Sequence, residues 1–186
     1  TAAFWDIATG KRLASTRRLN LDINGVTYSI DGRRAFTAGK DALAKMWDPQ
    51  TGTLIKDFTG HATDLSSVTV SPDGRLLLSA SRDGTARLWE IATGTELACL
   101  ASAHGGKSWA VVTPDGLFDA SEPGRQLMGF RFASKLPCRV IAQLYAGSPR
   151  TGLLAQILSA ARPLPRVPLA PSPPPPMTFI APHSRP

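Results

Sequence analysis

The sequence predicts an all-β fold built from repeated four-stranded sheets, and three observations carry this prediction. Trp5, Trp47 and Trp89 are each followed by an acidic residue and lie 42 residues apart. A Thr-Gly pair and an Asp-Gly turn motif recur with the same spacing. The stretches between these landmarks are short apolar runs bounded by turn residues, which is typical of strands and leaves no room for a helix.

The best preserved unit, residues 60–101, predicts four strands joined by three tight turns. The first turn is Ser-Pro-Asp-Gly at 71–74, where proline pre-sets one φ angle and glycine takes the strained position. The other elements follow in chain order: strand 76–81, turn 82–84, strand 85–89, turn 92–94 and strand 96–100. One such sheet cannot cover both of its own faces, so we expect the sheets to stack around an axis as a β-propeller.

These motifs resemble those of WD40-repeat proteins. The resemblance rests on Gly60-His61, the turn at 71–74, the run from Leu78 to Gly84, and Leu88-Trp89-Glu90. In that family a histidine, a Ser or Thr, a turn aspartate and the tryptophan form a hydrogen-bonded network within each blade. The resemblance implies that structural role for the matching residues, which are His61, Ser79, Asp83 and Trp89.

The preceding unit, residues 20–59, keeps part of the same set. Thr37, Asp41 and Trp47 match, but Leu19 stands where the histidine is expected. We therefore expect an incomplete network in this blade, and a smaller loss of stability on removing Asp41 than on removing Asp83.

The repeats predict a partial propeller of about three to four blades over residues 1–132. Residues 1–19 end one blade, two complete blades follow, and 102–132 supply most of a fourth, with Trp109–Val112 as its inner strand. Closed propellers of this kind have about seven blades. We expect this chain to be a fragment of a larger propeller, the alternative being that several chains assemble to complete the ring.

Two further segments are predicted beyond the propeller. Residues 133–162 contain an apolar stripe at helical spacing, formed by Leu153, Leu154, Ile157 and Leu158, and predict a helical connector. Residues 163–186 hold 10 of the 16 prolines and predict a disordered, extended linker. The order of these segments is similar to that of large bacterial WD40 proteins, some of which carry a caspase-like peptidase domain elsewhere.

The distribution of charge leaves two functions open. The net charge is +7, and residues 101–186 hold 9 basic and 3 acidic residues. Our leading interpretation is a non-catalytic protein–protein interaction scaffold that recruits or positions partners for another domain. The alternative is binding of nucleic acid or another anionic surface through 123–186, but the basic residues there are scattered and few aromatic residues accompany them.

Catalysis and cofactor binding are not expected. His61, Asp83 and Ser79 are the residue types of a catalytic triad, but their spacing fits the blade network better. The three histidines and two cysteines show no metal-ligand spacing, and Cys138 lacks the surroundings of a peptidase nucleophile. We expect no metal, no cofactor and no membrane span, a protein partner, and a cytoplasmic location.

Overall fold

The computed structural model describes residues 2–16, 22–127, 129–130, 139–140 and 150–160. Antiparallel strands dominate the described residues, as the sequence predicts. The chain divides into two units, Thr1–Glu96 and Leu97–Pro186. Leu19, Cys138, the linker 163–186 and most of the connector 133–162 lie outside the described residues.

The first unit contains three antiparallel sheets that correspond to successive blades. Blade 1 is the pair β1–β2, blade 2 has the strand order β3-β4-β5-β6, and blade 3 contains β7-β8-β9. The strand bounds are β1 Ala3–Trp5, β2 Arg12–Ser15, β3 Ile23–Tyr28, β4 Ala35–Gly39, β5 Leu43–Trp47, β6 Leu54–Thr59, β7 Leu65–Val70, β8 Leu76–Ser81 and β9 Thr85–Glu90.

The Ser-Pro-Asp-Gly turn is closed by its own side chains. The Ser71 hydroxyl donates to the Asp73 carboxylate over 2.5 Å and accepts from the backbone N–H of Leu76 over 2.9 Å. Gly74 takes a φ of +72°, a value that L residues with a side chain rarely adopt. The same bonds form 42 residues earlier, where Ser29 donates to Asp31 over 2.6 Å. The repeat in sequence is therefore a repeat in turn geometry.

Apolar side chains are buried between neighbouring sheets of the first unit. Between blades 2 and 3, the Phe58 ring lies 5.8 Å from the Trp89 ring and 6.5 Å from the Phe36 ring, measured between centroids. The full cluster is Phe36, Ala38, Ala44, Met46, Phe58, Leu65, Val68, Leu77 and Trp89. A second, smaller cluster joins blade 1 to blade 2 and contains Phe4, Ala35 and Trp47. The stability of each sheet therefore depends on the sheet beside it.

The second unit combines a small sheet with two helices. The strands β10 Glu96–Ala103, β11 Ser108–Val112 and β12 Phe118–Ala120 form an antiparallel meander, in which β11 pairs with both of the others. A 3₁₀ turn at His104–Gly106 connects β10 to β11. The remaining elements are α1 Glu122–Leu127, β13 Gly129–Phe130 paired with β14 Arg139–Val140, and α2 Leu153–Ala160.

This meander differs from the fourth blade that the sequence suggests. Trp109–Val112 was expected to be the inner strand of a separate blade, yet β11 pairs with β10 along the register from Cys99–Val112 to Ala103–Ser108. The connection between these strands is short, so an antiparallel hairpin forms more readily than a new sheet. Helix α1 then follows β12 where the third strand of a blade would lie.

Candidate functional site

A chain of hydrogen bonds crosses blade 3 from its turn to its third strand. His61 Nδ1 lies 2.9 Å from Asp83 Oδ2, and His61 Nε2 lies 2.8 Å from Ser79 Oγ. The indole N–H of Trp89 donates to the same Ser79 oxygen over 2.8 Å. With a neutral imidazole that carries its proton on Nδ1, every one of these groups has a partner. The structure thus brings together the four residues named from the sequence.

Asp83 is the most heavily bonded member of this network. Its Oδ1 accepts from the backbone N–H and the hydroxyl of Thr85, and its Oδ2 accepts from the backbone N–H of Ala62. Burial raises the pKa of Asp83. The hydrogen bonds from Thr85, Ala62 and His61 together lower it by more than burial raises it, so the pKa lies below its ordinary value of 3.8. The folded blade therefore stabilises the charged carboxylate.

The network is closed to substrates. The side chains of His61 and Ser79 are buried, with 0% of the His61 side chain and 0% of Ser79 exposed. The Ser79 oxygen is already engaged by Trp89 and His61. A serine nucleophile must reach a substrate carbonyl beside an oxyanion hole. The arrangement therefore supports the blade rather than chemistry.

Blade 2 contains the same landmarks in two separate pieces. The Trp47 indole N–H donates to the Thr37 hydroxyl over 2.9 Å, which matches the Trp89–Ser79 bond. Asp41 instead forms an ion pair with Lys45, and Lys45 also lies 3.7 Å from Asp57. The Lys45 side chain is 10% exposed, and these two carboxylates are its ionic partners.

Lys45 is the residue that sequence reasoning missed. With no histidine in the described part of this network, its ammonium group supplies the donor that Asp41 needs. The position 42 residues later holds Arg87, whose guanidinium pairs with Glu96 over 2.5 Å rather than with Asp83. The sequence shows a basic residue at this position in both repeats, but it does not show which carboxylate each one pairs with.

A cavity of about 570 Å³ lies within the second unit. Its lining includes one acidic and one basic group: Asp119 accepts from the Gly152 N–H over 2.7 Å, and Arg125 pairs with Glu122 over 3.2 Å, although the Arg125 Nε is buried without a hydrogen-bond partner. The cavity therefore shows no clear preference for a ligand of either charge. Its lining residues are Trp109, Val111, Asp119, Ala120, Arg125, Thr151, Gly152 and Leu154.

Metal-ion clusters and membrane-spanning helices are both absent from the described part of the chain. Three or more histidine, cysteine or acidic residues do not cluster there in a way that could hold a metal ion. No helix among the same residues has the length and apolar character to cross a membrane. Cys99 in β10 is buried.

The turn between β3 and β4 presents exposed residues of a different kind. Ile30 is 80% exposed, and Arg33 and Arg34 are exposed beside it. The Asp31 carboxylate is bonded within the turn to Ser29 and to the backbone N–H of Arg33. In the equivalent turn of blade 3, Arg75 is instead paired with its own Asp73 over 2.7 Å.

Comparison with protein families supports the repeating pattern seen in the sequence. The family described as "WD domain, G-beta repeat" matches residues 12–48 and 52–90. These two segments are therefore similar to WD40 repeats. Each repeat begins close to the outer strand of one blade and ends with the third strand of the next, so consecutive WD40 repeats tie neighbouring blades together. WD40 repeats generally mediate protein–protein interaction and are typically non-catalytic.

Whole-chain comparisons add little to the WD40 assignment. None of the curated proteins matches the chain. Among the solved structures, a crystal structure of the computationally designed Ika8 protein is 24% identical, with a TM-score of 0.45. The match covers 64% of this chain and 39% of that one, so the chain spans well under half the length of this structure.

Proposed function

We propose that the chain is a non-catalytic interaction scaffold that recruits or positions protein partners for another domain of a larger protein. The observation that carries this proposal is the closed network His61–Asp83–Ser79–Trp89 inside blade 3. It uses the reactive side chains of the repeat to hold the sheet together. The exposed turns remain available for binding, and binding residues concentrate on loops that a rigid scaffold positions.

The turn Ser29–Arg34 supports a specific partner chemistry. It combines the exposed apolar side chain of Ile30 with two exposed guanidinium groups, those of Arg33 and Arg34. Among the residues that the structure describes, no acidic side chain pairs with either guanidinium. An acidic segment with an apolar residue would satisfy all three, because arginine binds carboxylates through two parallel hydrogen bonds.

Charge reversal in this turn tests the proposal. We expect the double variant Arg33→Glu/Arg34→Glu to lose the partner that the unmodified protein retains in affinity capture from its own cells. Arg75→Glu, in the equivalent turn of blade 3, is the matched control and should retain it. Equal retention by all three proteins would exclude this turn as the binding surface.

We also propose that the chain is part of a larger, bacterial-type WD40 propeller, located in the cytoplasm, in which residues 133–186 lead to a further domain. Support comes from helix α2, Leu153–Ala160, which lies in the expected connector, and from the prolines of 163–186. A caspase-like peptidase domain elsewhere in the protein is part of the same proposal and rests on the resemblance alone.

Limited proteolysis of the full-length protein tests the linker. Cleavage should concentrate between Arg162 and Pro176 and should release a folded propeller, because extended proline-rich chain is accessible to proteases that can cut at the arginines beside it. Protection of that stretch, with cleavage inside the blades instead, would contradict the proposed arrangement.

A further inference from the structure

One wall of the cavity in the second unit is formed by one face of the hairpin β11–β12. Val111 and Asp119 lie opposite each other in the register of these strands, and Trp109 precedes Val111 by two residues. Side chains two apart on a strand, and those directly opposite on the neighbouring strand, point to the same face of the sheet. A partly exposed indole, an aliphatic side chain and a carboxylate therefore line the cavity together.

The two helices of this unit are held against the same hairpin. At α1, a Cβ on Gly124 would lie 2.1 Å from the carbonyl oxygen of Trp109, so this helix packs directly on β11. Just ahead of α2, the backbone N–H of Arg150 donates to the Phe118 carbonyl of β12 over 3.0 Å. The groups that α1 and α2 contribute to the cavity are therefore fixed relative to the hairpin.

Asp119 is a buried carboxylate that has one oxygen left for a ligand. The residue is 8% exposed, and its Oδ2 accepts the N–H of Gly152 immediately before α2. Among the residues that the structure describes, no donor bonds to its Oδ1. A buried carboxylate favours a positively charged N–H donor, because a charge-assisted hydrogen bond offsets the loss of hydration. Since Asp119 lines the cavity, an ammonium group bound there can supply that donor.

Arg125 of α1 adds the opposite charge to the cavity lining. Its Nη1 lies 3.2 Å from Glu122, a residue whose side chain is 77% exposed, so this ion pair is weak. Its Nε is buried and has no hydrogen-bond partner, which is uncommon for a buried N–H and costs free energy. The edge of the guanidinium formed by Nε and Nη2 matches a carboxylate, which accepts two parallel hydrogen bonds.

We propose that this cavity binds a short apolar peptide with free amino and carboxyl ends. The ammonium group of the peptide donates to Asp119, and its carboxylate accepts from Arg125. Its apolar side chains pack against Trp109, Val111 and Leu154. The cavity volume of about 570 Å³ lies within the range of small-molecule sites. A zwitterion fits a lining with one group of each sign, whereas a ligand of a single charge leaves one of them without a partner.

Matched peptides test the two charged contacts without altering the protein. Leucyl-leucine carries both charges, N-acetyl-leucyl-leucine lacks the ammonium group, and leucyl-leucinamide lacks the carboxylate. Trileucine keeps both charges at a larger separation. Calorimetric titration of the full chain should detect binding of leucyl-leucine or trileucine. Each blocked form of the peptide that binds should bind roughly tenfold more weakly or worse, as expected when a hydrogen bond between charged groups is lost.

Variants of the two charged residues assign each contact to one end of the peptide. Asp119→Asn keeps an oxygen for the Gly152 N–H but removes the charge, so it should weaken binding of the free peptide and leave that of the N-acetyl form unchanged. Arg125→Gln should weaken binding of the free peptide and leave that of the amide unchanged. A loss of folding would weaken all forms alike, so this crossed pattern separates contact from stability. The controls are Asp115→Asn and Lys107→Gln, which change charge outside the cavity lining.

Three results would overturn the proposal. One is the absence of binding by both leucyl-leucine and trileucine. Another is a blocked peptide that binds as tightly as the free one, because a single charge would then be sufficient. The third is an equal loss of affinity in the control variants. Each of these results leaves the partner-binding proposal standing, because that proposal is tested separately at Arg33 and Arg34.

Discussion

Asp83 carries more hydrogen bonds than any other side chain of the blade 3 network, and its removal should destabilise the fold. Asp83→Ala leaves the N–H of Ala62, two donors of Thr85 and the imidazole of His61 without their acceptor. We expect the free energy of unfolding to fall by about 1–3 kcal/mol, the range for leaving buried polar groups unpaired. Urea denaturation followed by tryptophan fluorescence measures it.

Asp41→Ala provides the comparison, and the structure changes the outcome expected for it. From the sequence, Asp41 should matter less than Asp83 because its network lacks a histidine. The ion pair with the buried Lys45 makes its loss comparable, since the ammonium group would keep only Asp57, 3.7 Å away. Adding Lys45→Met should recover part of the loss. No recovery in the double variant would show that the ion pair is unimportant.

The carboxylates of the turns should make the fold sensitive to acid. Hydrogen bonds from Ser71 and Arg75 lower the pKa of Asp73 to about 2, and the pKa of Asp83 is also below 3.8. A depressed pKa contributes stability above the unfolded value, and this is lost as pH falls through the folded value. The free energy of unfolding should therefore decrease from about pH 4 downward.

The free energy of unfolding, measured at several pH values between about 2 and about 4, tests this sensitivity to acid. In the variant Asp83→Asn, the amide that replaces the carboxylate does not take up a proton in this pH range. The free energy of unfolding of this variant should therefore fall less steeply with acid than that of the unmodified chain. Asp73→Asn should have a smaller effect on the slope because Asp73 is exposed to solvent. Parallel curves for all three proteins would mean that other groups determine acid sensitivity.

Among the secondary-structure elements, the turn between β5 and β6 is constrained by blade 1. Gly52 has a φ of +70°, and a Cβ there would lie 2.6 Å from the carbonyl oxygen of Ser15. Gly10, in the equivalent turn of blade 1, has a φ of +67° with nothing within 4 Å of a Cβ. The two glycines therefore separate backbone strain from close packing between neighbouring blades.

Gly10→Ala should cost about 1–2 kcal/mol, the strain of a left-handed residue with a side chain. Gly52→Ala should cost more, because the backbone at Ser15 must also move. Thermal unfolding of the two variants measures the difference. Equal losses would indicate that blades 1 and 2 are not packed closely at this turn.

At the scale of the molecule, the core between blades 2 and 3 should dominate the stability of the first unit. Phe58 is 0% exposed and lies between the rings of Phe36 and Trp89. We expect Phe58→Ala to lower the free energy of unfolding by about 3–5 kcal/mol, the range for emptying a packed aromatic site.

Leu54→Ala on the same strand is the control for Phe58→Ala. Leu54 is 41% exposed, so its truncation should change the free energy of unfolding by about 0.5 kcal/mol or less. Chemical denaturation of both variants makes the comparison. If Phe58→Ala were as mild as Leu54→Ala, the two blades would not share a core.

The repeat, its turns and the network of blade 3 could all be predicted from the sequence. They depend on contacts within one 42-residue unit, where spacing determines which side chains meet across a pair of strands. Ser79 and Trp89, for example, are ten residues apart on adjacent strands and bond directly. Local hydrogen bonding and strand alternation are properties of the chain itself, so they can be recognised in the sequence.

The tertiary structure decided the features that depend on which element lies alongside which. It paired Lys45 with Asp41, joined β11 to β10 in a hairpin, and left Trp5 exposed where Trp47 and Trp89 are buried. None of these follows from spacing within a repeat, because identical landmarks can have different neighbours. Burial and edge pairing are properties of the packed neighbours, and the sequence of one repeat does not specify them.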